Sequence, residues 1–236
     1  SGGSTPKAFF KALSVKAGQL CTNIRRILVP AEIAPAFAEA VAAKVKALAV
    51  GDPADEATRV GPLVNLAQRR EAESNIARLM TEARLVARSE MPDAGPQSGF
   101  VAPHLLFCDH PGDARALHEI EVFGPCATVM PYASRDEAVA LALSVFSGDA
   151  AEQTSLVSAL GSWHGRILLV DDEVGKAHSG HAIVMPQCIH GGPGRAGGGE
   201  ELGGLRGLRF HMQRTAIQAS PTAFSGLAQA AVETNF

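Results

Sequence analysis

The sequence predicts an α/β protein whose largely parallel sheet is flanked by helices. Three observations carry that reading. Short segments rich in β-branched and apolar residues alternate along the chain with segments whose apolar residues recur at spacings of three and four. Of 236 residues, 46% are hydrophobic and 19% charged, the balance of a chain that buries a core. The four cysteines, Cys21, Cys108, Cys126 and Cys188, lie far apart with no C-x-x-C pair, so neither a disulfide framework nor a zinc ribbon organises the fold.

The elements follow in order. The opening Ser1-Gly2-Gly3-Ser4 reads as a flexible linker or cloning remnant, and residues 1–6 are set apart from the fold. A helix is expected from Pro6 to Ala17, with Ser4 or Thr5 as its cap and Gly18 as its stop. Ile24 to Val29 reads as a strand ended by Pro30. Ile33, Phe37, Val41, Val45 and Leu48 make one apolar stripe of a second helix, closed by the turn Gly51-Asp52-Pro53. A third helix starts near Asn65, passes Ile76 and Leu79 and ends before Leu85-Val86; Met91 to Gly99 is then a surface loop. Val101 to Phe107 and Cys126 to Tyr132 are strands. Ser134 and Glu137 have the spacing of a capping box, opening a helix expected to run through Ser144. A helix over Ala151 to Leu160, a strand over Arg166 to Val170 and a last strand over Arg214 to Ala219 complete the pattern, with one domain over 7–211 and a strand and tail over 212–236.

Charge and hydropathy narrow the function classes. With 21 Lys+Arg against 24 Asp+Glu the net charge is −3, so no polyanion-binding surface is implied and nucleic acid is not an expected partner. No run approaches roughly 18 consecutive apolar residues, and no basic-then-apolar leader opens the sequence. The expectation is a cytoplasmic protein with reduced thiols and no membrane contact.

The densest chemical signal is the run His190 to Gly204, in which eight of fifteen residues are glycine. So much glycine implies unusual backbone dihedrals or close approach of the backbone to a ligand, although a flexible linker has the same composition. Gly192-x-Gly194-x-x-Gly197 matches a dinucleotide fingerprint in letters, but no helical pattern and no acidic residue about 20 positions on accompany it. The run also lacks the Gly-Lys-Ser/Thr ending of a phosphate-binding loop. Cys21 lies in Lys16-Ala17-Gly18-Gln19-Leu20-Cys21-Thr22, a break between helix and strand that can expose a nucleophile, although a lone cysteine is more often structural. Cys108, Cys126 and Cys188 read as small apolar fillers. His178 and His181 lack a second ligand pair, so no metal site is expected. A hydrolase pairing Cys21 with His190 stays open by spacing alone.

Three segments taken together resemble the catalytic domain of the aldehyde dehydrogenase family: Gly18-Gln19-Leu20-Cys21-Thr22 with Arg25-Arg26, Glu121-Val122-Phe123-Gly124-Pro125, and Glu201-Leu202-Gly203. Gly51-Asp52-Pro53, Gly61-Pro62-Leu63 and Pro103 to Asp109 fall where the family has similar turns, so the resemblance covers nearly the whole chain after residue 7. The glycine-rich run with Gln213-Arg214-Thr215-Ala216 is similar to a narrower branch that oxidises ring-opened, CoA-linked semialdehydes in aerobic aromatic degradation. Within that branch, the lack of a hydratase-like half after Phe236 favours the benzoate route over the phenylacetate one.

The resemblance implies an aldehyde-dehydrogenase-like catalytic domain over 7–211 with a C-terminal oligomerisation strand. It implies Cys21 as nucleophile with a backbone amide at Cys21 or Thr22 on the oxyanion, and Glu201 on the proton and water path. Glu121 becomes the cofactor-ribose ligand and Phe123 the residue beside the nicotinamide. NADP, or alternatively NAD, is the implied cofactor, held mainly by a nucleotide-binding domain that is expected to be absent from this chain together with its general-base glutamate and oxyanion asparagine. The chain alone is therefore expected to be inactive. A CoA-linked aldehyde is the implied substrate and a homodimer the implied assembly. The alternatives are an inactive fragment kept for assembly and, further off, the cysteine hydrolase.

Overall fold

The computed structural model describes residues 13–20, 23–139, 144–146, 150–161, 167–170, 205–210, 212, 220, 221 and 225. The chain divides into two compact units, Ser1–Val184 with Ile189–Gly199, and Met185–Cys188 with Glu200–Phe236.

In the first unit, strands β1 (Arg26–Pro30), β2 (Arg84–Arg88), β3 (His104–Phe107) and β4 (Cys126–Tyr132) form one sheet in the order β1-β4-β3-β2. β4 runs parallel to both β1 and β3, while β2 pairs antiparallel to β3 with a register shift between Leu85 and Ala87. The two central strands are apolar almost throughout because both of their faces are covered. Successive side chains go to opposite sides: Leu105, Phe107, Ala127 and Val129 join one core cluster, whereas Leu106, Cys126 and Met130 join the other. Helix α1 (Ala34–Lys46) closes the first face through Ala34, Ala38, Val41, Ala42 and Val45. Helix α2 (Leu66–Leu79) closes the second through Ala72, Ile76 and Leu79, joined by Leu117 and Val122.

The α1 stripe differs from the expected one. Ile33 precedes the helix and is 54% exposed, and alanines 34, 38 and 42 take the inward positions beside Val41 and Val45. Small side chains let the helix lie close to the sheet, a choice that spacing of large apolar residues alone does not register. The helix starts next to Asn65, as expected, and Asn65 caps it, its side chain accepting from Gln68 N at 2.9 Å. Short helix α3 (Ala116–Glu119) had no sequence expectation.

Helix α4 (Arg135–Val139) opens as anticipated, with Glu137 N donating to Ser134 Oγ at 3.3 Å. The Glu137 carboxylate, however, accepts from Ala133 N rather than Ser134 N. The helix does not run through Ser144, which begins strand β5 (Ser144–Phe146), parallel to β6 (Leu168–Val170) in a separate two-stranded sheet. Alanine- and leucine-rich composition around 138–143 supports a helix locally, and pairing with β6 overrides it for 144–146. Helix α5 (Ala150–Leu160) lies where expected.

In the second unit, helix α6 (Leu205–Phe210) follows the glycine-rich run, where no helical pattern was anticipated. The run itself and the expected strand over 214–219 lie outside the described residues. Among the described residues no helix is long and apolar enough to cross a membrane.

Candidate functional site

The segment entering β1 is built on a left-handed turn. Lys16, Ala17 and Gly18 have φ of 49°, 50° and 74°, so the helical segment at Leu13 and Ser14 stops three residues before the expected Ala17. Two of the three carry a Cβ, and left-handed backbone costs roughly 1–2 kcal/mol for such residues. Burial of Ala17 in the core and the bond from Gln19 N to Lys16 O hold the turn. At Gly18 the backbone presses on Gly124 and Pro125, leaving no room for a side chain.

Asn23 Nδ2 donates to Gly18 O at 3.2 Å, folding the segment back on its own turn, while the buried Asn23 Oδ1 has no hydrogen-bond partner among the described residues. Gln19 Oε1 accepts from Val64 N at 3.1 Å. These contacts flank residues 21 and 22 in the chain; Cys21 and Thr22 themselves lie outside the described residues, as do Glu201, His190, His178, His181 and Cys188.

Arg25 joins this segment to the second motif. Its Nη2 donates to Leu20 O at 2.8 Å and its Nη1 to Asn23 O at 3.4 Å, on one side of the guanidinium. On the other, Nε donates to Val122 O at 3.0 Å and Nη2 pairs with Glu121 Oε1 at 2.9 Å. The guanidinium carbon lies 5.6 Å from the centre of the Phe123 ring, within cation–π range. The structure thus brings Glu121 and Phe123 to one place beside the stretch that carries Cys21 in sequence. Asn75 Nδ2 also donates to Glu121 O at 3.4 Å, anchoring that backbone to α2. The Glu121 side chain is 60% exposed and Phe123 38%, so an acceptor pair and an aromatic ring both face solvent. An exposed carboxylate next to an exposed flat ring can accept hydrogen bonds and stack against a planar group.

Arg26, the next residue, turns the opposite way. It is held below the usual arginine range by burial, and its Nη1 donates to His118 Nδ1 at 3.3 Å. His118 Nε2 in turn donates to Pro111 O at 2.8 Å, which assigns the neutral Nε2–H tautomer. The arginine pair was legible as part of a motif; what each one does was not, because each also reaches a partner 97 or 92 residues away, Val122 for Arg25 and His118 for Arg26.

Cys108 and Cys126 are free thiols buried in the core. Burial pushes Cys126 up to about 12 against the opposing charge of Arg25, and raises Cys108 as well. Neither is a nucleophile near neutral pH, in keeping with their reading as small apolar fillers. A separate cleft of about 450 Å³ lies between α2 and residues 88–104, lined by Arg69, Ile76, Met80, Arg88, Met91 and His104. Among the described residues no three His, Cys, Asp or Glu side chains cluster in a way that could hold a metal ion.

The model of the aldehyde dehydrogenase family matches residues 4–217, and the chain belongs to that family. It is 45% identical over 201 residues to the 3,4-dehydroadipyl-CoA semialdehyde dehydrogenase of Aromatoleum evansii, covering 79% of this chain and 39% of that protein. It is 40% identical over 180 residues to protein MaoC of Klebsiella aerogenes, covering 72% of this chain and 53% of that one. The chain therefore spans roughly two fifths to one half of these relatives' length. Among solved structures, a C291A mutant of aldehyde dehydrogenase C from Pseudomonas syringae with NAD+ and octanal superimposes with a TM-score of 0.73 at 24% identity, over 91% of this chain and 43% of that one. Succinic semialdehyde dehydrogenase from Streptococcus pyogenes with NADP+ gives 0.69 at 21%, over 84% and 42%. At these identities the two structures speak for the aldehyde-dehydrogenase-like fold alone.

Proposed function

We propose that this chain supplies the nucleophile-bearing half of an NAD(P)-dependent dehydrogenase that oxidises a CoA-linked semialdehyde to the carboxylic acid. The observation that carries the reading is the placement of Glu121 and Phe123, through Arg25, against the residues flanking Cys21. The name of the Aromatoleum evansii relative supports the substrate class, and family membership supports the chemistry.

In this reading the Cys21 thiolate attacks the aldehyde carbon, forming a thiohemiacetal. A backbone amide at Cys21 or Thr22 donates to the oxyanion, and water later hydrolyses the thioester left after oxidation, with Glu201 handling the proton. The nicotinamide cofactor, when bound, supplies the hydride acceptor. Glu121 accepts from the ribose hydroxyls and Phe123 packs beside the base. NADP is the proposed cofactor, with NAD the alternative; the solved relatives hold one or the other. The remaining cofactor contacts belong to the part of the relatives' length that this chain does not span. We also infer a homodimer formed through residues 212–236.

The test is Cys21→Ala in an intact dehydrogenase containing this chain. Turnover of a CoA-linked semialdehyde should fall at least about 10³-fold with little change in NADP binding. Wild-type turnover in that variant removes the proposal.

A further inference from the structure

A solvent-exposed ion pair alone is worth roughly 0–1 kcal/mol and fixes little. The pair between Arg25 and Glu121 is of another kind, because its two ends are unequal. The Arg25 side chain is only 18% exposed and its guanidinium is already committed to three carbonyls, those of Leu20, Asn23 and Val122. Those bonds fix the plane and direction of the group before Glu121 meets it. The exposed carboxylate then has a defined place to dock, and the Phe123 ring lies against the same cation. A rigid planar fork with five donors can do this; an ammonium on a flexible stem can reach one or two such acceptors at a time.

We propose that Arg25 is a positioning residue, a latch holding the residues on either side of Cys21, Leu20 and Asn23, and the segment bearing Glu121 and Phe123 in one register. The inference rests on the reading of Cys21 as nucleophile and Glu121 as ribose ligand given above. It adds a single residue through which the two halves of the reaction, carbon–sulfur bond formation and cofactor orientation, are held together. Its cation hydrogen-bonds the carbonyl of Leu20, one residue before Cys21 in sequence, and in this proposal that charge favours the thiolate.

The test uses the full 236-residue chain with Arg25→Met and Arg25→Lys. Amide exchange is followed on peptides covering 18–25 and 119–124, with peptides from β3 and β4 as controls. Alkylation of Cys21 by iodoacetamide is followed against pH by peptide mapping, with buried Cys108 and Cys126 as internal reporters of unfolding. In Arg25→Met both segments should exchange about tenfold faster together, and the Cys21 profile should move to higher pH, while Cys126 stays protected. Arg25→Lys should restore the pH profile, because it keeps the cation, but not the exchange protection, because it lacks the fork. Unchanged protection in Arg25→Met, or a response in only one segment, overturns the proposal. Should Cys126 become reactive in Arg25→Met, Arg25→Lys decides: wild-type protection at both segments overturns the latch. Failure here leaves the dehydrogenase reading intact, whereas turnover surviving Cys21→Ala would remove that reading and leave the exchange result standing.

Discussion

Gly18 and Gly95 have nearly the same backbone, with φ of 74° and 72°, yet substitution should affect them very differently. A Cβ on Gly18 would overlap the Gly124 carbonyl and stand 2.9 Å from Pro125 Cα, whereas one on Gly95 would meet nothing within 4 Å. Gly95→Ala should therefore cost only the left-handed backbone term, about 1–2 kcal/mol. Gly18→Ala should exceed it by at least about 1–2 kcal/mol, since the 16–18 turn must also move away from 124–125. Urea titration of both variants checks the difference, and equal midpoints would contradict the close packing of turn and motif. His104 offers a second residue-level test. Its Nδ1 donates to Ala102 O at 2.6 Å, and desolvation by burial lowers its pKa below 6.5, with the Arg88 charge adding to the shift and Ala102 O and Glu73 opposing it. Above pH 6.5 both folded and unfolded chains carry a neutral ring, so nothing is gained or lost. As pH falls below 6.5 the unfolded chain takes up the proton first, and stability declines. His104→Asn keeps a donor for the carbonyl and should flatten that decline below pH 6.5.

At the scale of elements, legibility follows the distance over which each element is decided. β4 and the start of α2 were read almost to the residue, because an apolar run bounded by turns and an Asn at a helix start are local signals; the end of α2 at Leu79 falls short of the expected stop before Leu85. The β5 strand was not, since only its pairing with β6 distinguishes it from the end of a helix. α3 shows the same limit more sharply. Its amides at Arg115, Ala116 and Leu117 are capped by the carboxylate of Glu82, more than 30 residues earlier, at 3.0 to 3.2 Å. Those bonds, the one from Ala116 foremost, hold Glu82 below the usual carboxylate range. A carboxylate with a depressed folded pKa stabilises the fold above pH 4.5, and the contribution is lost as pH falls through the folded value. Glu82→Gln should thus speed amide exchange at 115–117 near neutral pH and reduce the steepness of acid unfolding below pH 4.5. Unchanged exchange at those amides would mean that the helix start does not depend on Glu82.

For the whole molecule, the double-faced sheet was legible in its continuous apolar central strands, and three short motifs were legible as a set, of which Cys21 and Glu201 lie outside the described residues. The latch between two of them was not, because Arg25 and Glu121 are neighbours only after β1 and β4 pair. Assembly belongs to the same scale. In the second unit Leu205, Leu208 and Met212 are 74%, 58% and 58% exposed, an apolar row that begins in helix α6 and ends at the residue where the sequence places the start of the oligomerisation arm. Three large apolar side chains left to water at this spacing favour a protein surface as cover, and a second copy of the chain is the occupant that the homodimer reading supplies. An interface including this row would bury at least about 1,000 Å² in total. Leu208→Glu places a charge in the middle of the row and leaves the four-stranded sheet of the first unit untouched. In sedimentation velocity the unaltered chain should run as a dimer, and both Leu208→Glu and removal of residues 212–236 should shift it to monomer. A dimer that survives both changes would place the interface elsewhere, and an unaltered chain that stays monomeric at high concentration would remove the homodimer for this chain.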